Sequence, residues 1–281
     1  MKLPGPDYPA PAKLNLFLHV VGRRDDGYHL LQSVFCLIDR CDRLRFRVRE
    51  DGEVRRVSEL RGVAPDDDLA IRAARLLQEA SGTSLGADIE VEKTIPMGGG
   101  LGGGSSDAAT TLLVLDRLWA TGFGSEALAE LAPTLGADVP FFLFGTSAWV
   151  EGAGERLTAI ELAERWYVVL TPSAGVPTGT VFAAPELTRN TEPLKMADFS
   201  AQQQDRFRND LEAVVTARFP EVRASLEWLR QHGKARMTGS GSCVFAGFDT
   251  REAAQQVLDQ LTAPMTGFVA KGLTYHPLRA Q

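Results

Sequence analysis

From Ala12 to Val21 the chain alternates, with Leu14, Leu16, Leu18 and Val20 on one side and Lys13, Asn15, Phe17 and His19 on the other. A period of two predicts a half-buried strand. It also puts Lys13 and Asn15 on one face, opposite the leucines. The stretches RLRFRVRE and EVRRVSEL, separated by a turn at Asp51-Gly52, predict antiparallel strands. ADIEVEKTI, with Ile89, Val91 and Lys93 set against Glu90, Glu92 and Thr94, predicts another strand with one face in water. Two segments change period. DDDLAIRAARLLQEAS places Asp residues at the positive end of an amphipathic helix. SSDAATTLLVLDRLWA pairs a capping serine with apolar residues at helical spacing through Leu112, Leu115 and Trp119.

Beyond SEALAELAPTLG, a further helix, and the mostly apolar ADVPFFLFGTSAWVEG, the strand RWYVVLTP opens a second half. That half alternates helices (DLEAVVTARF to EVRASLEWLRQHG, then TREAAQQVLDQL) with strands (SCVFAGF and GFVAKGLTYH). Strands mixed with helices without regular βαβ repetition predict α+β layers. The length, 281 residues, favours two units, divided near residue 160 into 1–160 and 161–281.

Composition narrows the function classes. Hydrophobic residues make up 44% and charged residues 23%, ordinary values for a globular chain with a sizeable core. The net charge of −6, with basic residues dispersed among acids, argues for a small-molecule partner and against nucleic acid. Cys36, Cys41 and Cys243 form no CxxC pair, which fits a reducing cytoplasm and offers no zinc cluster. No apolar run approaches the length of a membrane span, and no secretory leader is recognisable, so the expectation is a soluble cytoplasmic protein. Oligomeric state is left open.

The chemistry concentrates between the predicted strand 87–95 and the helix that follows. Pro96 and Met97 lead into Gly98, Gly99 and Gly100; after Leu101 come Gly102, Gly103 and Gly104, then Ser105 and Ser106. A loop without Cβ atoms that opens a helix exposes N–H groups at the positive end of the dipole and lets a phosphate approach them. A packing turn needs one or two glycines, not six. The P-loop pattern fails, because Gly104 and Ser105 follow Gly103 where Lys then Ser or Thr is required. Gly98, Gly100 and Gly103 satisfy G-x-G-x-x-G, but the strand before them alternates, and no second strand follows at the dinucleotide spacing.

The motif PMGGGLGGGSSDAA resembles the phosphate-binding loop of the GHMP kinases, and PAKLNLFLHVVGRRDDGYHLLQSVF and MTGSGSCVFAGF resemble that family's flanking motifs, in the expected order. The resemblance implies a ribosomal-protein S5 domain 2-like N-terminal domain, a ferredoxin-like C-terminal domain and an active site between them. It implies ATP as co-substrate and Mg²⁺, with no cluster of protein carboxylates to hold the metal. In wording the chain is similar to the members that phosphorylate the 2-hydroxyl of 4-diphosphocytidyl-2-C-methyl-D-erythritol in the non-mevalonate isoprenoid pathway. On that resemblance Asp138 is the base and Lys13 the cation beside it. Tyr28 and Phe182 sandwich the cytosine, His29 reads its edge, Asn15, Thr178 and Gly239 face the rest of the substrate, and Lys93 and Asp68 lie toward the adenine.

Each residue also has a plainer reading from sequence alone. Asp138, before Val139-Pro140, suits a helix cap; Lys13 suits a solvated strand face; Tyr28-His29 suits a partly buried pair. Asp68 stands where relatives often carry Asn, and an ionised Asp accepts hydrogen bonds without donating any. Two alternatives therefore stay beside the kinase reading: another small-molecule GHMP kinase, and a non-catalytic nucleotide sensor with the same fold.

Overall fold

The computed structural model describes residues 3–199 and 207–279. Its first half contains β1 (Tyr8–Arg23), β2 (His29–Arg49), β3 (Val54–Arg56), α1 (Leu69–Ser81), β4 (Gly86–Glu92), α2 (Gly103–Leu118), α3 (Gly124–Leu131), α4 (Val139–Phe144), β5 (Ala148–Gly152) and β6 (Arg156–Ala159). The second contains β7 (Trp166–Leu170), α5 (Thr178–Phe182), α6 (Glu212–Arg218), α7 (Pro220–Arg230), β8 (Arg236–Met237), β9 (Val244–Phe248), α8 (Arg251–Leu258) and β10 (Gly267–Leu273).

The 21-residue β2 organises the first half, pairing with β1 along most of its length, with β5 near its start and with β4 near its end. α1, α2 and α4 cover one side, where Ile71, Leu77, Leu112 and Phe141 bury against Leu44 and Ile89. Each such side chain contributes about 1.5–3 kcal/mol on leaving water. The second half runs β7, α6–α7, β8, β9, α8, β10, with antiparallel sheet order β10-β7-β9-β8. This is the βαββαβ arrangement of a ferredoxin-like unit. Its edge strand β10 continues onto β2 through Gly272 opposite Ile38 and Leu273 opposite Leu37. The chain then returns to the first half, where Leu278 joins that core and Arg117 Nη2 donates to its carbonyl at 3.3 Å.

Three strand readings are corrected. β3 is only three residues long and pairs in parallel with β4, which separates it from β2, rather than pairing with β2 as a hairpin. β1 is buried on both faces through its middle, because it lies at the junction of the halves: Leu18 N donates to Arg208 O and Asp210 N to Leu18 O, at 3.0 and 2.8 Å. β4 is likewise buried on both faces. Its polar side is roofed by arginines from β2, with Arg47 and Arg49 on Asp88 and Arg45 on Glu90. Alternation in a sequence marks polarity, whereas burial depends on what lies above the polar face.

Candidate active site

The glycine-rich loop is held between β1 and the turn joining β8 to β9. Lys13 N donates to Leu101 O at 3.0 Å, and Cys243 N donates to Gly99 O at 3.1 Å. Gly100 has φ +76°, and a Cβ there would fall against the carbonyl oxygen of Thr238. Gly102, with φ +72°, would press a Cβ to 2.9 Å from the Phe142 ring and 3.2 Å from Lys13 Cγ. Gly102 also occupies the N-cap position of α2, where no side chain caps the helix. The expected capping serine is thereby corrected: Ser105 lies within the first turn and lines the cleft, and Ser106 is fully buried. No side chain caps the first-turn N–H groups of α2, which stand at the positive end of the helix.

Gly100→Ala is expected to raise KM for ATP roughly tenfold, since left-handed backbone is strained for an L-residue by about 1–2 kcal/mol before any displacement of the loop. Steady-state kinetics with varied ATP checks this; an unchanged KM removes the loop from nucleotide binding.

A cleft of about 840 Å³ opens in front of this helix end. It gathers Lys13, Asn15, Tyr28, His29, Gly98, Gly100, Gly102, Ser105, Asp138, Thr178, Phe182 and Gly239 from segments up to 226 residues apart. Lys13 is buried, with Nζ donating to Asn15 Oδ1 at 2.6 Å and lying 3.4 Å from Asp138 Oδ2 and 4.5 Å from the centre of the Phe35 ring. The shared face read from the strand period is what brings Lys13 and Asn15 together. Asp138 sits at the N-cap position of α4 yet makes no cap bond; its carboxylate is a third exposed and turned to Lys13. Asn15 is fixed in turn by Ser33 Oγ, which accepts from Nδ2 at 3.1 Å, and by Thr238 Oγ1, which accepts from its backbone N–H at 2.9 Å.

At the far end, the His29 and Phe182 rings lie 5.1 Å apart at 37°, and Tyr28 stands two-thirds exposed at the rim. Burial, then Arg189 and Arg23, holds the His29 imidazole below its ordinary pKa, so the ring is neutral near pH 7. Thr178 and Ser240 hydroxyls share a hydrogen bond of 2.6 Å beside Gly239. Asn209 secures that turn by donating to Met237 O and Gly239 O at 2.8 and 2.7 Å. Asn209 escaped the sequence reading, and Ser33, Thr238 and Ser240 lay inside quoted motifs without being singled out, because a polar residue shows no role until the fold gives it a partner.

Pro96, Met97, Gly99, Leu101, Gly103, Gly104, Ser106, Lys93 and Asp68 do not line this cleft. Asp68 caps α1, accepting from Ala70 N at 2.9 Å, and pairs with Arg56 at 3.0 Å. Lys93 lies behind Gly103 and donates to Asp42 and, at 2.7 Å, to Asp107. Burial pulls the Lys93 pKa down, but Asp107 and Asp42 raise it overall, so the ammonium stays charged. Asp107 behaves oppositely: burial outweighs Lys93 and pushes its pKa from 3.8 to about 8, and its Oδ1 is buried without a hydrogen-bond partner.

With its pKa raised on folding, Asp107 contributes stability that is present below about 4 and is lost as pH rises toward about 8. Asp107→Asn is expected to flatten denaturant midpoints across that window. A slope unaltered by the substitution would place the proton elsewhere.

Among the described residues no group of three or more His, Cys, Asp or Glu side chains is set to hold a metal ion, and no helix is long and apolar enough to cross a membrane. The family description "GHMP kinases N terminal domain" matches residues 68–146, and "GHMP kinases C terminal" matches 183–267. The chain is 59% identical over 271 residues to a 4-diphosphocytidyl-2-C-methyl-D-erythritol kinase of Thiobacillus denitrificans (strain ATCC 25259 / T1), covering 96% of each chain. It is 57% identical to the kinase of the same name from Nitrosospira multiformis (strain ATCC 25196 / NCIMB 11849 / C 71), covering 96% of this chain and 92% of that one. A solved 4-(cytidine 5'-diphospho)-2C-methyl-D-erythritol kinase superposes with a TM-score of 0.83 at 36% identity, over 95% of this chain and 99% of that one. A mevalonate kinase at 13% identity shares the fold, with a TM-score of 0.71 over 95% of this chain and 99% of that one. With both GHMP domains matched and relatives at this identity along nearly its whole length, the chain belongs to the 4-diphosphocytidyl-2-C-methyl-D-erythritol kinases of the GHMP kinase superfamily.

Proposed function

We propose that the cleft transfers the γ-phosphoryl group of ATP to the 2-hydroxyl of 4-diphosphocytidyl-2-C-methyl-D-erythritol, in the cytoplasm, as a step toward isoprenoid precursors. The observation that carries the assignment of roles is the Lys13–Asp138 ion pair, lying in one cleft with the uncapped end of α2. Asp138 orients the acceptor hydroxyl. A carboxylate is a weak base toward an alcohol, so the proton moves late, once attack on phosphorus has made it acidic. Lys13 holds Asp138 in place and offers positive charge to the equatorial oxygens of the transferred group.

The α2 N–H groups and the loop around Gly98, Gly100 and Gly102 cradle the triphosphate. Tyr28, His29 and Phe182 take the cytosine, and Asn15, Thr178 and Gly239 take the erythritol diphosphate. Lys93 and Asp68 act from behind the loop, on the adenine side. Mg²⁺ would be held by phosphate oxygens and water together with the Ser105 hydroxyl on the cleft wall, which fits an ion that keeps mostly water and phosphate ligands. It would neutralise charge on the triphosphate. The halves 1–160 and 161–281 act as the nucleotide and closing units, and the partner is a small molecule rather than nucleic acid.

The test is turnover with Mg-ATP and the cytidine substrate, with mevalonate, homoserine and galactose as parallel acceptors. Product from the cytidine substrate alone is expected. Product from another acceptor would discard the cytosine pocket, and ATP binding without turnover would favour the sensor.

A further inference from the structure

One guanidinium joins the two sides of the cleft's aromatic end. Arg189 Nε donates to His29 Nε2 at 3.1 Å. Its Nη2 donates to Phe182 O at 3.0 Å and Ala184 O at 2.7 Å, and its Nη1 to Leu187 O at 3.1 Å. Arg189 is always a donor, so an imidazole nitrogen facing it must accept. With Nε2 accepting, the proton of the neutral ring sits on Nδ1. The same fork takes up carbonyls at the end of α5, the helix that carries Phe182.

We infer that Arg189 is the positioning residue of the base pocket: it fixes His29 as the Nδ1–H tautomer and ties that ring to the helix end bearing Phe182, so that one donor and one stacking face are held in register. The inference rests on the cytosine reading above. An Nδ1–H donor suits the edge of cytosine, which presents acceptors at N3 and O2. Uracil presents a donor at N3 and meets His29 donor to donor. Arg189 thereby selects the base without touching it, because a mismatched base leaves the His29 donor and its own N3 donor unpaired against each other.

The test uses Arg189→Met, which keeps length and removes every donor, and Arg189→Lys, which keeps charge and one donor but not the fork. In the ligand-free full-length protein, ¹⁵N resonances of His29 are expected to report the Nδ1–H tautomer in the unaltered chain, a mixture in Arg189→Met and partial recovery in Arg189→Lys. In kinetics, Arg189→Met is expected to raise KM for the cytidine substrate about tenfold or more, with kcat and KM for ATP within about twofold. Its preference for the cytidine substrate over the uridine analogue should narrow. An unchanged His29 tautomer, an unchanged substrate KM, or an ATP KM that rises in step would each overturn the role. If the unaltered enzyme fails to use the cytidine substrate, the functional reading falls instead; the tautomer measurement, made without ligand, still judges Arg189 on its own.

Discussion

Replacing Asp138 by asparagine is expected to lower kcat by roughly 10²–10⁴-fold, the usual contribution of a positioned general base, while KM for ATP moves by no more than about twofold. Asparagine matches the carboxylate in size, so the cleft keeps its shape. The amide cannot accept the hydroxyl proton, and it cannot balance Lys13, whose Nζ keeps its bond to Asn15 Oδ1 and its place over the Phe35 ring but loses its counter-charge. Because Asp138 makes no cap bond to α4, the substitution leaves that helix start intact, and although unpairing the buried Lys13 lowers the thermal midpoint, the protein should stay folded at the assay temperature. A loss of turnover with a preserved fold separates the catalytic role from the helix-cap role that the sequence allows. Turnover within about threefold of the unaltered enzyme would remove Asp138 from the reaction.

Lys93→Met should produce the largest loss of stability, about 3–5 kcal/mol, because it strands a buried carboxylate without its cation. Asp42 is fully buried, and its Oδ1 already accepts from Thr94 N and Ile95 N at 2.5 and 2.8 Å, leaving Oδ2 to Lys93 alone. Gly103 rests on this cluster, so its collapse would also disturb the phosphate loop. Adding Asp42→Asn in the same chain should restore part of the loss, since the remaining group is then neutral. Denaturant unfolding of the single and double variants provides the comparison; a single-variant loss under about 1 kcal/mol would mean that the cluster is solvated and holds little of the fold.

The elements set by local rules were legible in the sequence. The glycine run and the helix after it could be read because left-handed turns demand glycine and because a helix shows its period over a few turns. Lys13 and Asn15 were legible as a pair, since two residues along a strand share a face wherever the strand lies. The burial of β1 and β4 was not legible: the covering groups, Arg45, Arg47 and Arg49 on one and the Arg208–Asp210 segment on the other, come from distant positions.

For the site, the sequence by itself determined which residues were available: a loop able to hold phosphate, a lysine on a strand face, an aspartate before a proline, and a Tyr-His pair. Only the tertiary structure decided what each became. It set Asp138 against Lys13 across 125 positions, turned Asp68 into a paired helix cap, enclosed Lys93 between Asp42 and Asp107, and brought Arg189 to His29. The physical reason is that a polar side chain's role follows from its partner and its distance from water, and both are fixed by non-local strand pairing and layer packing.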